Sequence, residues 1–234
     1  GSRPLRMSSA WPELEAARVA VVGDLHGRWN ALDNRFFDRA GFDLLLFVGD
    51  LGSGSKNDGL AVIRQISRLS SRGLVLPGNN DADHLAHLSA ELAYQAGRAD
   101  LLRAMHRDAA RGVEPCGYSG HRLRTPGGTV SLVAARPCAT GGSDFAFADM
   151  IARRYDVHSL ADSAARLCAL VDESPDESLL FLAHNGPFGL GGTPSDPWHR
   201  DFDVEDDESI PRDWGDNDLT AAIAHARSRG KRVL

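Results

Sequence analysis

The chain has 234 residues, 42% of them hydrophobic and 25% charged, with a formal net charge of −6. That is an ordinary soluble globular composition, long enough for one large domain or two small ones, and its mild acidity argues against non-specific binding to nucleic acid or to a membrane surface. No run approaches the ~18 uninterrupted apolar residues of a membrane span, and the three cysteines, Cys116, Cys138 and Cys168, form no CxxC pair, so a reducing cytoplasm is expected rather than a disulfide framework or a zinc ribbon.

The N-terminal GSRPLRM lacks a signal-peptide core; Gly1-Ser2 reads as a cloning scar, Met7 as the native start and residues 1–10 as flexible. RVAVVGD (18–24) is a short β-branched run ending in Gly-Asp. Residues 29–40 place Trp29, Leu32, Phe36, Phe37 and Ala40 at helical spacing. DLLLFVGD (43–50) is a second apolar run with the same ending. Residues 58–72 space Leu60, Ile63, Ile66 and Leu69 as a helix does, and GLVLPGN (73–79) is a third run. Continuous apolar strands alternating with helices predict a parallel sheet covered on both faces. Residues 82–110 read as one or two helices. The segments 121–125 and 129–135 flank Pro126-Gly127-Gly128 as a hairpin. Residues 144–155 and 159–172 read as helices and SLLFLAHNGP (178–187) as a strand. The stretch 189–216, rich in Gly, Pro and Asp, is too long for a plain connector and is either a functional loop or disordered. A helix over 217–229 follows, and KRVL opens a strand. With neither a repeat nor a linker in view, residues 1–234 read as one domain.

Four apolar runs end in polar clusters: Gly23-Asp24-Leu25-His26-Gly27, Gly49-Asp50-Leu51-Gly52, Gly78-Asn79-Asn80-Asp81 and Ala183-His184-Asn185-Gly186-Pro187. One Gly-Asp is a turn or a cap. Four such clusters in order, separated by helix-length segments, are a pattern. The carboxyl ends of parallel strands open on one edge of a sheet, where open α/β folds bind ligands. If the four strands lie side by side, Asp24, His26, Asp50, Asn79 and His184 converge there. All five offer oxygen or imidazole donors of the kind manganese, iron and zinc accept. With two cations sharing the site one carboxylate bridges them, and Asp50, on a more central strand, is the natural bridge. Elsewhere, His84, His87 and His106 read as surface side chains of helices, and His121, His158 and His225 have no motif around them. The acidic run 204–209 reads as a solvated loop.

The series GDLHG, GDLG, GNND and AHNGP resembles the calcineurin-like metallophosphoesterase superfamily, closely over residues 18–81 and more loosely over 178–187. RPCATGG and LAHNGPFGLGG look similar to an uncharacterised bacterial and plastid-type branch of it. The resemblance implies an α/β fold, a sandwich of two mostly parallel or mixed β-sheets flanked by helices, with the 121–135 hairpin in the second sheet. It implies two divalent metal ions (manganese, iron or zinc). Asp24 and His26 would hold the first, Asn79 and His184 the second, and Asp50 both. It implies attack of metal-activated water, in line, on a small phosphorylated substrate, monoester or diester. Arg28, one residue past GDLHG, is placed to meet a phosphate oxygen. Asn80 is placed to hydrogen-bond substrate or orient water. Trp198 and His199 are the candidates for a lid, and Asp81 is a helix cap ahead of Ala82.

The chain departs from the family pattern in three places. The final GHxH is absent, KRVL standing where that strand would lead into it. The expectation is an incomplete C-terminal end, fewer protein ligands and reduced metal occupancy. The arginines of the phosphoprotein-phosphatase branch are replaced by Leu51-Gly52 and Pro77, which argues against a serine/threonine phosphatase. Asn80 stands where many phosphodiesterases and nucleases carry histidine, and an amide cannot protonate a leaving group. The alternatives are a catalytically reduced interaction scaffold on the same fold and a metal-free nucleotide-binding protein. The second lacks both GxxxxGK[ST] and a complete GxGxxG.

Overall fold

The computed structural model describes residues 11–105, 112–199 and 212–234. In chain order the elements are β1 (Glu13–Glu15), β2 (Val19–Val22), α1 (Ala31–Ala40), β3 (Leu44–Phe47), α2 (Lys56–Ile66), β4 (Arg72–Val75), a 3-10 turn (Asn79–His84), α3 (Leu85–Met105), β5 (Val113–Pro115), β6 (Ser119–Thr125), β7 (Gly128–Ala134), α4 (Ala148–Tyr155), α5 (Leu160–Glu173), β8 (Ser178–Leu182), α6 (Asn217–Ser228) and β9 (Arg232–Val233).

All four residues of β3 are buried. Leu45 and Phe47 face one side and Leu44 and Leu46 the other, as the two-residue period of a strand requires. A strand apolar on both faces belongs inside a sheet covered on both sides, and β3 lies between β2 and β4 in an all-parallel sheet of order β2-β3-β4-β5. The second sheet runs β1-β6-β7-β8-β9. Its β6-β7 hairpin is antiparallel and its other pairings are parallel. Leu44, Leu46 and Leu74 of the first sheet meet Leu123, Leu132, Ala134 and Leu182 of the second in a shared core. The outer face of the first sheet packs on α2 and α3 through Val62, Ile63, Ile66, Leu88 and Leu92. The outer face of the second packs on α4, α5 and α6 through Ile151, Leu167, Leu170, Leu219 and Ala222. The result is a helix–sheet–sheet–helix sandwich, with the hairpin in the second sheet as the sequence suggested.

Four details differ from the sequence reading. The strand of the fourth cluster, β8, lies in the second sheet beside β7 and not in line with the other three. Strands β1 and β5 were not anticipated, because three residues are too few to show a period. On α1 only part of the apolar stripe is inward: Trp29 and Phe37 stack at 5.0 Å and join the core, while Leu32 and Phe36 are 67% and 64% exposed. Helix α4 begins at Ala148 rather than 144, because Phe147 takes a left-handed conformation (φ 57°). Residues 1–10, His106 and the acidic run 204–209 lie outside the described residues. Among the described residues no helix is long and apolar enough to cross a membrane.

Candidate metal centre

The polar clusters continue the strand ladders beyond the strands. The Asp24 N–H donates to Gly49 O (3.1 Å), His26 N–H to Asp50 O (2.8 Å) and Gly27 N–H to Leu51 O (2.8 Å), so the first loop is laced to the second. The third loop crosses the second at two glycines. A β-carbon on Gly49 would strike the backbone of Gly78, and one on Gly78 would strike Asp50 and press on His184. Only glycine lets these two backbones and the imidazole approach so closely. Although β8 belongs to the other sheet, its carboxyl end faces the same edge: the Ala135 N–H bonds Leu182 O (2.8 Å) within the second sheet, and a little further along the same segment the Cys138 N–H bonds Pro77 O (2.7 Å) across the sandwich.

These loops bring together all five expected donors. Single donor atoms of Asp24, His26 and Asp50 lie within 4.8 Å of one another. His26 Nε2 is 3.8 Å from Asp24 Oδ1 and 3.8 Å from Asp50 Oδ2. On the other side, His184 Nε2 is 2.9 Å from Asn79 Oδ1 and 3.5 Å from Asp50 Oδ1. Oxygen and imidazole ligands about 2.1 Å from one cation and at right angles stand roughly 3 Å apart. The His184–Asn79 pair has that spacing, and the pairs at 3.5 and 3.8 Å would reach it by a small closure. The protonation pattern agrees. His184 Nδ1 lies 2.6 Å from Val48 O, which can only accept, so Nδ1 carries the proton and Nε2 presents a lone pair. In this orientation of the Asn79 amide, two lone pairs face each other at 2.9 Å. A proton or a cation between them makes that contact favourable. The donors therefore fit divalent cations. Asp50 and His184 are nearly closed off from solvent (side chains 5% and 6% exposed), whereas Asp24 and His26 are open to it (69% and 41%).

Asp81 does not cap the following helix, as the sequence suggested. It is the buried third residue of the 3-10 turn, and its carboxylate accepts from the Gly78 (2.9 Å), Leu51 (3.1 Å) and Gly52 (3.3 Å) N–H groups. The side chain thus reaches back and ties the second loop to the third. Burial pushes its pKa above the ordinary carboxylate range, against those three amide bonds. Asn80 turns to Asp50: its main-chain N–H donates to Oδ1 (2.9 Å) and its side-chain amide to Oδ2 (2.6 Å). Arg28 is exposed just after Gly27. Trp198 packs on Gly186 beside the fourth cluster, leaving no room there for a side chain, while His199 bonds within its own loop to Gly191 O (2.9 Å).

Sequence reasoning missed three participants. The Val48 carbonyl fixes the His184 tautomer, and no side-chain pattern signals a main-chain partner. Arg136, buried after β7, bonds Asp216 (2.8 Å) and Asp218 (2.9 Å). Asp216 in turn donates its N–H to Gly186 O (2.8 Å) in the fourth loop. Burial, with the neighbouring Asp218 carboxylate adding to it, pushes the Asp216 carboxyl up to about 6 against the opposing pull of Arg136.

A layered sandwich carrying oxygen and imidazole donors at its strand ends defines a class: α/β proteins that gather divalent cations at the sheet edge. The chain belongs to the calcineurin-like phosphoesterases, whose family model matches residues 17–210. A solved crystal structure shares the fold, with a TM-score of 0.54 over 91% of this chain and 81% of its own at 13% identity. No curated protein matches the chain. Membership implies metal-dependent hydrolysis of phosphoesters.

Proposed function

We propose that the protein hydrolyses a small phosphomonoester or phosphodiester with two divalent cations (manganese, iron or zinc), and that Asp50 holds both. The observation that carries this reading is the orientation of the Asp50 carboxylate, with Oδ2 toward His26 and Oδ1 toward His184. Asp24 and His26 complete one binding position and Asn79 and His184 the other. Two such cations, when bound, supply the Lewis acidity that activates water and offsets charge on the phosphoryl oxygens. The chain's own groups do the rest. The solvent-open side at Asp24 and His26 admits the substrate. Arg28, exposed beside it, meets a phosphate oxygen with its planar fork. Asn80 has no proton to give at neutral pH, so the leaving group takes its proton from water, which favours esters of acidic alcohols. A small substrate rather than nucleic acid or membrane suits the net charge of −6. A reducing, cytoplasmic compartment suits three free thiols.

The test is hydrolysis of p-nitrophenyl phosphate and bis(p-nitrophenyl) phosphate with added Mn²⁺. Turnover of at least one is expected. Asp50→Asn, which keeps the shape but removes the charge and one of the two acceptors that Asn80 holds, should lower it by roughly 10²–10³-fold or more, with the protein still folded in the absence of metal. Bound Mn²⁺ without hydrolysis of any phosphoester would favour the interaction scaffold instead.

A further inference from the structure

Both oxygens of Asp50 are held by one residue. The Asn80 main-chain N–H reaches Oδ1 at 2.9 Å and its Nδ2 reaches Oδ2 at 2.6 Å. The same two oxygens face different histidines, Oδ1 toward His184 at 3.5 Å and Oδ2 toward His26 at 3.8 Å. A carboxylate is free to rotate about Cβ–Cγ, and a single donor leaves that rotation open. Two donors at fixed separation on one short turn close it. The turn is itself fixed, because Asp81, 1% exposed, binds the Gly78, Leu51 and Gly52 amides on either side of the clamp. The arithmetic of lone pairs also works. A carboxylate offers about four acceptor positions. Asn80 uses two, and one on each oxygen remains, on the side of each histidine.

We infer that Asn80 is a positioning residue for the carboxylate that joins the two cation sites: it locks the plane of Asp50 so that one oxygen addresses each site, and thereby sets the spacing of the cations. The inference rests on the metal reading above and replaces water or substrate orientation as the task of this side chain. Partners that hydrogen-bond a ligating group typically change metal affinity by about 10–100-fold when removed.

The test uses the whole chain and needs no turnover. Mn²⁺ is titrated calorimetrically into wild type, Asn80→Leu and Asn80→His, and the paramagnetic resonance spectrum of each loaded sample is recorded. Asn80→Leu keeps the volume and the main-chain donor but loses Nδ2–H; Asn80→His restores a ring N–H at similar reach. Expected are a weakening of Mn²⁺ binding by about 10–100-fold in Asn80→Leu, a loss of the exchange-coupled two-manganese spectrum, and recovery of both in Asn80→His. Should Asn80→Leu not fold, Asn80→Ala removes the same donor without bulk and is read in the same way. Wild-type affinity with an unchanged coupled spectrum in the variant that lacks Nδ2–H overturns the inference and leaves the metal reading intact. A loss that Asn80→His does not restore overturns it too, assigning the effect to shape. Failure of wild type to bind Mn²⁺ overturns the metal reading, and this inference with it.

Discussion

Asp24, His26 and Asp50 all adopt left-handed backbone angles, with φ of 53°, 43° and 51°. A side chain in that region costs of order 1 kcal/mol or more, and it persists only where the surroundings enforce it. Here the lacing of His26 to Asp50 and Gly27 to Leu51 and the grip of Asp81 on the second loop supply the enforcement. The identity of these residues was legible in the sequence because each follows a strand-length apolar run. Their neighbours' tasks were not. Asp81 reads as a helix cap by type, and only the fold shows that its oxygens point backward to amides 29 and 30 residues earlier in the chain. His121 is a clearer case, since it has no motif around it and lies buried on the inner face of β6. Its Nδ1 has no hydrogen-bond partner among the described residues. Burial pushes its pKa down to about 4, with Glu114 pulling it up and Arg72 pushing it down. The unfolded chain takes up this proton near pH 6.5, whereas the folded chain refuses it until about 4. The associated stability is therefore complete above pH 6.5 and is lost as pH falls toward 4, by up to about 3 kcal/mol. Urea unfolding of wild type and His121→Leu at several pH values reads the difference. The two stabilities should converge, or cross, by about that amount between pH 7 and 4.5, and parallel curves would show that His121 is not the group responsible.

The strands and loops repeat one device: an apolar strand, a glycine, then a donor. That device could be read directly from GDLHG, GDLG and GNND. The sheet to which each strand belongs could not, because the apolar run of β8 would serve equally well beside β2 or beside β7. What decides it is the pairing of Ser131–Ala134 with Leu179–Leu182, a contact no local pattern encodes. The crossing of Gly49 over Gly78 then carries His184 from the second sheet to the donors of the first. Gly78→Ala tests this crossing. Its own φ of −90° is ordinary for alanine, so any cost is steric, from a methyl driven into Asp50 and against His184. A loss of about 1–3 kcal/mol of stability is expected from overpacking, together with weakened Mn²⁺ binding because the second trio is pushed apart. Gly97→Ala is the control: its β-carbon would meet nothing within 4 Å, it lies within α3, and the change should stabilise by about 0.5–1 kcal/mol. Equal effects of the two substitutions, measured by thermal unfolding and calorimetric titration, would remove the crossing as the reason for glycine at position 78.

Apolar cores hold the layers of the sandwich together, and a polar cluster joins its parts. Arg136 follows β7 in the second sheet, and its guanidinium, 1% exposed, bonds Asp216 and Asp218 at the start of α6. Ser163 of α5 also donates to Asp218, and the Tyr118 hydroxyl is 2.7 Å from Ser163 Oγ. Two helices, a strand end and the fourth loop, through the Asp216 N–H on Gly186 O, thus meet at one cation. The sequence hides this cluster, since its charges lie 80 and 82 residues apart and the two aspartates read as part of a polar loop and a helix start. Removing one member of a buried pair costs far more than the pair contributes, because the remaining charge stays desolvated. Arg136→Met should therefore destabilise by about 3–5 kcal/mol, two carboxylates being stranded. Adding Asp216→Asn and Asp218→Asn to Arg136→Met should recover part of that loss, since the stranded charges are then gone. Urea unfolding of the single and triple variants decides it. A single variant within about 1 kcal/mol of wild type would mean that the carboxylates reach solvent or take up protons without cost, and the cluster would no longer be what fastens α6 and the fourth loop to the second sheet.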